Sequence, residues 1–192
     1  MTTVIESELV RRAAAGDPAA VEALLVGVRP GLVRYCRARL GRVGGAYTTA
    51  DDVAQEVCVA VLRALPRYRE QGVPFAAFVY GIAAHKVADA QRSAVRDAAV
   101  TPTETPLERP DAAPGPEQQA VASDLARRLS ALLDRLPDVQ REIVLLRVAV
   151  GLSAEEVGDV VGMSAAAVRM AQSRALARLR TLAGGSLDEV AA

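Results

Sequence analysis

Apolar and polar positions along this chain repeat with the period of an α-helix. Val53, Val57, Ala60, Val61, Ala64 and Leu65 fall on one helical face. Thr49-Ala50-Asp51-Asp52 ahead of them is a helix start, a Thr cap with an acid three residues on, and Pro66 is a stop. Upstream, three shorter runs read as helices: Glu6 to Ala15, ended by Gly16-Asp17-Pro18, then Ala19 to Val28 and Gly31 to Leu40, separated by Arg29-Pro30. Gly41 to Tyr47 and Arg67 to Pro74 read as loops, and a long helix is predicted from Phe75 to about Ala94.

The same period returns downstream at Val121, Leu125, Leu129, Leu132, Leu133 and Leu136. Pro137 opens a short apolar helix through Ile143, Val144, Leu145, Leu146 and Val148, which Gly151-Leu152-Ser153 breaks. Ser153-Ala154-Glu155-Glu156 is a capping box, in which Ser153 and Glu156 satisfy each other's free amides. A two-turn helix then ends at Gly162, and Ser164 caps a long helix to about Leu182.

Residues 98–119 interrupt this pattern. They hold Pro102, Pro106, Pro110, Pro114 and Pro116, with Glu104, Glu108, Asp111 and Glu117 against one base, Arg109. Such a stretch cannot bury enough apolar surface to fold and reads as an extended acidic tether. The predicted fold class is all-α: two small helical domains, 5–97 and 120–183, joined by a flexible Pro-rich linker.

Composition narrows the function classes. The 192 residues are 51% hydrophobic but only 3% aromatic. No apolar run reaches the ~18–20 residues of a membrane span, so no membrane insertion is expected. Met1 to Arg12 carries Glu6 and Glu8 and no apolar core, which excludes a secretory signal and implies a cytoplasmic protein. Cys36 and Cys58 lie far apart and His85 is the only histidine, so neither a disulfide framework nor a metal site is expected. With one His, no paired carboxylates beside a base and no Gly-rich phosphate loop, no catalytic residues or cofactor are assigned. The 23 basic and 23 acidic residues balance, but phosphate is attracted by local charge, not by the total.

Three constellations carry candidate chemistry. The short capped helix, the turn Val161-Gly162-Met163-Ser164 and the following helix read as a helix-turn-helix over 153–172. Its second helix carries Arg169, Arg174, Arg178 and Arg180 with no acid between Ser164 and Arg180. Val168, Ala175, Leu176 and Leu179 are expected to face the core, and Arg169, Met170 and Ser173 to face outward near its start, where such helices meet base edges. The bland alternative is an amphipathic Arg-rich hairpin. The second constellation is aromatic: Tyr68, Phe75, Phe78 and Tyr80 lie within thirteen residues, near Arg67, Arg69, His85, Lys86, Arg92 and Arg96. Rings beside cations suit single-stranded DNA. Phe78 and Tyr80 are assigned to the core, whereas Tyr68 and Phe75 stay open between base stacking and packing. The third is the polar face Asp52, Gln55, Glu56, Val59 and Arg63, which alone reads as solvated helix surface.

Together these elements resemble a known family. Asp51-Asp52-Val53-Ala54-Gln55-Glu56-Val57 resembles the core-polymerase-binding segment of bacterial sigma factors. Pro66-Arg67-Tyr68-Arg69 with Phe75-Ala76-Ala77-Phe78-Val79-Tyr80-Gly81-Ile82-Ala83 resembles their promoter-melting segment. The helix-turn-helix, with Leu136-Pro137 before it and Ala175-Leu176-Ala177-Arg178-Leu179-Arg180 closing it, resembles sigma region 4. Two domains in this order, spanning nearly the whole chain, are similar to the extracytoplasmic-function (ECF, group 4) class of the sigma-70 family. The strings from Tyr80 to Ala90 and from Val168 to Leu176 look most like its SigD branch.

The resemblance implies a region 2 helical bundle at 5–97 and a region 4 helix-turn-helix at 120–183. It implies no enzyme, but a factor that directs core RNA polymerase to promoters. Asp51, Asp52, Gln55, Glu56 and Val59 would dock on the β′ clamp helices, and region 4 would sit near the β flap. Tyr68, Gln71, Phe75, His85, Lys86, Asp89 and Arg92 would capture and melt the −10 element. Ser164, Ala165, Arg169, Met170, Ser173 and Arg174 would read the −35 element. Control by an anti-sigma factor is a further expectation from the family. The family's usual Trp after the loop is Phe78 here, and its frequent Ser-Arg pair in the recognition helix is Met170-Ala171. From the residues alone, the rival is a stand-alone helix-turn-helix transcriptional regulator with a ligand-sensing first domain, which predicts tight duplex binding without polymerase.

Overall fold

Apolar spacing builds the first half of the chain into four helices. The structure, a computed structural model, describes residues 7–40, 49–69, 74–100 and 128–188, with side chains described to 96 and to 184 in the last two stretches. Helix α1 is Ser7–Ala14, α2 is Pro18–Leu40, α3 is Ala50–Ala64 and α4 is Phe75–Val100, with a 3₁₀ turn at Leu65–Arg67 after α3. At the start of α2, Asp17 accepts from the Ala19 and Ala20 amides at 3.0 and 3.3 Å and from the Arg12 guanidinium at 2.6 Å. The Arg12 hydrogen bond, reinforced by these amides, holds the Asp17 carboxyl below its ordinary pKa.

The predicted break at Arg29-Pro30 is absent, and α2 runs through it. An interior proline removes one hydrogen bond and crowds the carbonyl four residues back, at a cost of about 3 kcal/mol. That carbonyl belongs to Val26, whose residue is 67% exposed, so water is at hand on this side. On the opposite side Leu24, Val28, Leu32, Tyr35 and Cys36 form an unbroken buried stripe, whose packing outweighs the local defect.

Helix α3 begins at the predicted cap. Thr49 Oγ1 accepts from the Asp52 amide at 3.2 Å, and Asp52 Oδ2 accepts from the Thr49 amide at 2.9 Å. Val53, Val57, Val61 and Leu65 are buried as their spacing predicts. Helix α4 continues past Ala94 to Val100 and so takes in residues 98–100 of the expected tether. The rest of the tether and the predicted loop Gly41 to Tyr47 lie outside the described residues.

The second half opens with α5, residues 128–134, followed by α6, Asp138–Val144, for which Pro137 is the N-cap residue. Leu129 is 52% exposed rather than core, while Leu133 and Leu136 are buried. Helix α6 widens into a π-helical turn, Leu145–Val150. Helix α7 is Ala154–Val161, and α8 is Ala165–Asp188, six residues longer than its spacing predicts.

The two helical modules also pack on each other, α2 on the π turn and α4 on α7. One continuous core joins Leu32, Tyr35, Val57, Tyr80 and Val87 to Ile143, Leu146, Val150, Leu152 and Val157. A second cluster of Leu133, Leu136, Val144, Leu145 and Ala175 also receives Ala38 from α2. Close approach depends on Gly31: a Cβ there would lie 2.5 Å from Tyr80 Oη and 3.7 Å from Val150 Cγ1. Tyr35 and Tyr80 meet edge-to-face at 5.5 Å beside it. Periodicity marks which face of a helix is apolar, but not which helix will cover it.

Candidate functional site

The outward face of α3 borders an open groove of about 780 Å³ lined by Asp52, Gln55, Glu56, Val59, Ala60, Arg63, Ala64, Arg67 and Lys86. Asp52, Gln55, Glu56 and Val59 are exposed, and Leu62 is a second exposed apolar residue on this helix. Its lining sets the two carboxylates, Asp52 and Glu56, among three cations, Arg63, Arg67 and Lys86, and the aliphatic Val59, Ala60 and Ala64. Asp51 sits differently from the other residues expected on the polymerase-binding face. It is half-buried and held by the Arg37 guanidinium of α2 at 2.7 and 3.0 Å, so it braces α3 against α2 outside the groove.

Lys86 comes from α4, and its Nζ lies 3.1 Å from Glu56 Oε2. Expected among the DNA-reading residues, it also lines the groove. His85, Asp89 and Arg92, at positions i, i+4 and i+7, form an exposed row on α4. His85 Nδ1 donates to the Gly81 carbonyl at 2.9 Å, which fixes the ring and leaves Nε2 outward. Arg92 pairs with Asp89 one turn back.

The open choice for Tyr68 and Phe75 is resolved in favour of packing. They are 8% and 7% exposed, and Tyr68 meets Phe78 at 4.9 Å and Phe75 at 5.5 Å between ring centroids. Their faces are occupied by each other and by Phe78, so the base stacking expected of them has no free ring surface here. The physical reason is the short 3₁₀ turn, which carries Tyr68 back over the start of α4. Gln71 lies outside the described residues.

The helix-turn-helix is assembled by its caps. Ser153 Oγ accepts from the Glu156 amide at 3.1 Å, and Glu156 Oε2 accepts from the Ser153 amide at 2.7 Å. Gly162 takes φ +70°, a conformation that costs most other residues about 1–2 kcal/mol, and turns the chain into α8. Ser164 Oγ accepts from the Ala167 amide at 3.2 Å. Val168 and Ala175 are fully buried and Leu176 and Leu179 half-buried, so Arg169, Met170, Ser173 and Arg174 all face outward. Ala165 does not join them, because it packs half-buried against the core. Arg169 pairs with Glu155 of α7. Hydrogen bonding of the Glu155 carboxylate to its own amide, with Arg169 in support, holds its pKa below the ordinary value.

Three features escaped the sequence reading. Arg67 lines the α3 groove. Arg147 donates to Gln172 Oε1 at 3.1 Å and to the Leu152 carbonyl, tying the π turn to α8 and to the loop that leads into α7. Tyr35, Arg39 and Glu142 meet between the modules. The signal for these last was a stripe on α2, Gly31-Arg34-Tyr35-Ala38-Arg39, at i, i+3, i+4, i+7 and i+8. Its polar members hide it from a search for apolar period.

Among the described residues no helix is long and apolar enough to cross a membrane. The family model for Sigma-70 region 2 matches residues 25–97, and that for Sigma-70 region 4 matches 126–179. The chain is 57% identical over 172 residues to the ECF RNA polymerase sigma factor SigD of Mycobacterium tuberculosis, covering 90% of this chain and 81% of that protein. It is 55% identical over 185 residues to the ECF RNA polymerase sigma factor ShbA of Streptomyces griseus, covering 95% and 96%. Its structure matches that of CnrH in complex with the cytosolic domain of CnrY with a TM-score of 0.69 at 26% identity, over 94% of this chain and 98% of that one. The fold also matches the sigma factor RpoE of Bartonella quintana, solved with the anti-sigma factor NepR, with a TM-score of 0.56 at 20% identity, over 85% and 96%. Two family models in order and this identity across nearly the whole chain show that it belongs to the sigma-70 family, in the extracytoplasmic-function class of RNA polymerase sigma factors.

Proposed function

We propose that this chain brings core RNA polymerase to its promoters through three separate surfaces and performs no chemistry of its own. The observation that carries the reading is the pairing of an exposed groove of mixed charge along the polar face of α3 with a doubly capped helix-turn-helix whose second helix turns Arg169, Met170, Ser173 and Arg174 to solvent. Asp52, Gln55, Glu56 and Val59 dock on the β′ clamp helices. His85, Asp89 and Arg92, with the segment that includes Gln71, take the −10 element, and the outward row of α8 takes the −35 element, with region 4 held near the β flap. The promoter-reading modules are residues 5–97 and 120–183, with 98–119 between them.

Polymerase supplies most of the nonspecific affinity for DNA, which is consistent with a subunit of zero net charge. Two weak readers on one chain gain through effective concentration once polymerase holds them in place. Melting needs no ATP if captured bases offset unstacking, a few kcal/mol each. The same groove, with Val59 and Leu62 exposed on α3, suits an anti-sigma factor that competes with polymerase in the cytoplasm.

In vitro transcription with core polymerase and a genomic promoter library tests the proposal. Wild type is expected to give discrete start sites. Glu56→Lys is expected to abolish polymerase binding, and Arg169→Ala to weaken use of −35-dependent promoters while leaving polymerase binding intact. Tight sequence-specific binding to duplex DNA without polymerase, and no start sites with it, would overturn the assignment of these surfaces.

A further inference from the structure

The contact between the two modules buries polar groups that meet only across it. Glu142 of α6 accepts from the Tyr35 hydroxyl at 2.6 Å and lies 3.4 Å from the Arg39 guanidinium, and the Glu142 and Arg39 side chains are each 14% exposed. Alongside, Arg34 Nε donates to the Ala149 carbonyl at 2.8 Å. Ala149 sits in the last turn before Gly151, where carbonyls lack a helical donor, so α2 caps the second module's helix end from outside. Ala38, on the same stripe of α2, packs into the second module's own cluster.

This closed arrangement cannot serve both promoter elements at once. Helix α7 packs on both α4 and α8. Packed helices lie about 8–10 Å apart, so the two reading helices come within about 20 Å of each other across α7. Elements at −10 and −35 are about 25 base pairs apart, roughly 85 Å along the duplex. The chain therefore has to open, and opening must undo the Tyr35–Glu142–Arg39 set. A buried ion pair is held against a desolvation cost that offsets much of its attraction. Here Arg39 Nε is also buried without a partner among the described residues. Such a set fixes the geometry of closure without making it deep, leaving it within reach of a competing surface.

We propose that Tyr35, Arg39 and Glu142 form a latch that holds the free chain closed and sets the cost of engaging core polymerase. The proposal rests on α4 and α8 being the promoter readers. Apparent affinity falls with the fraction of binding-competent chain, so loosening the latch tightens polymerase binding by the factor in which the open fraction rises.

The test uses the full chain in four forms: wild type, Glu142→Ala, Tyr35→Phe, and the reversed pair Arg39→Glu with Glu142→Arg. Tyr35→Phe keeps the ring and leaves the second module unaltered, so it remains informative if Glu142→Ala unfolds. Small-angle scattering of the free wild type is expected near the ~16 Å radius of gyration of a compact chain of this length. Glu142→Ala is expected to expand by several ångströms at unchanged helical circular dichroism and to bind core polymerase at least fivefold more tightly. Tyr35→Phe should shift both readouts the same way, and the reversed pair should return both toward wild type. A wild type already extended in solution, or latch variants equal to wild type in either measurement, overturns the latch. The wild-type titration separates the two failures: polymerase binding without any latch effect sinks the latch alone, and no polymerase binding by any form sinks the proposed function on which the latch rests.

Discussion

Replacing Gly31 by alanine tests the packing that brings α2, α4 and the π turn together. The added Cβ would meet Tyr80 Oη at 2.5 Å, well inside van der Waals contact, while Val150 Cγ1 and Tyr80 Cζ stand at 3.7 and 3.8 Å, an ordinary distance. Tyr80 is buried at 6% exposure with its ring edge-to-face on Tyr35, so the hydroxyl has little room to retreat. Overpacking of this size costs about 1–3 kcal/mol. Alanine returns about 1 kcal/mol of helix propensity, which leaves a net loss of roughly 0–2 kcal/mol. In a Tyr80→Phe background the clashing oxygen is gone and the nearest remaining atoms are at contact distance. There Gly31→Ala is expected to stabilise by about 1 kcal/mol from propensity, with a further contribution from the buried methyl. The sign of the effect should therefore reverse between backgrounds, with a coupling of about 1–3 kcal/mol across the cycle. Urea denaturation of the four full-length forms, followed by circular dichroism, measures it. Equal effects of Gly31→Ala in both backgrounds would show that the Tyr80 hydroxyl is not what the glycine accommodates.

Other consequences follow from single sites. A Cβ at Gly158 would sit 2.4 Å from the Met163 carbonyl oxygen, a backbone atom that cannot rotate away. Gly158→Ala is thus expected to lower stability by about 2–3 kcal/mol and to weaken promoter binding, and an unchanged urea midpoint would contradict it. The lowered pKa of Asp17 means that its stabilisation is complete above the unfolded value near 3.9 and is lost as pH falls through the folded one. Asp17→Asn should therefore be less stable than wild type at pH 7, and the two should converge in urea titrations as the pH is lowered through the folded value. Burial pushes the Cys36 thiol up to about 12, and the half-buried Cys58 is raised as well. Native protein at pH 8 should react with a thiol reagent far more slowly than unfolded protein, and rapid native labelling of Cys36 would contradict its burial.

Local chemistry was legible wherever neighbours in sequence are neighbours in space. Both capping boxes, at Thr49–Asp52 and Ser153–Glu156, form as their spacing predicts, and Gly162 takes the turn. The buried face of α3 and the outward row of α8 could be read from helical period, because a helix fixes both from one residue to the next. Pro30 misled for the same reason. Its local cost was visible, whereas the buried stripe that outweighs it draws on residues brought together only by folding. Tyr68 and Phe75 were ambiguous because a ring beside a loop can stack on a base or on another ring, and only the path of the 3₁₀ turn chose between them.

By itself the sequence determined most of the helices, their caps, the helix-turn-helix and the polar outer face of α3. These depend on interactions spanning a few residues, which composition and period encode directly. Tertiary structure alone decided that Lys86 faces Glu56, that Asp51 belongs to Arg37, and that Glu142 finds Tyr35 more than one hundred residues away. Such pairings depend on how helices cross, a choice governed by shape and burial across the whole core and carried by no local pattern.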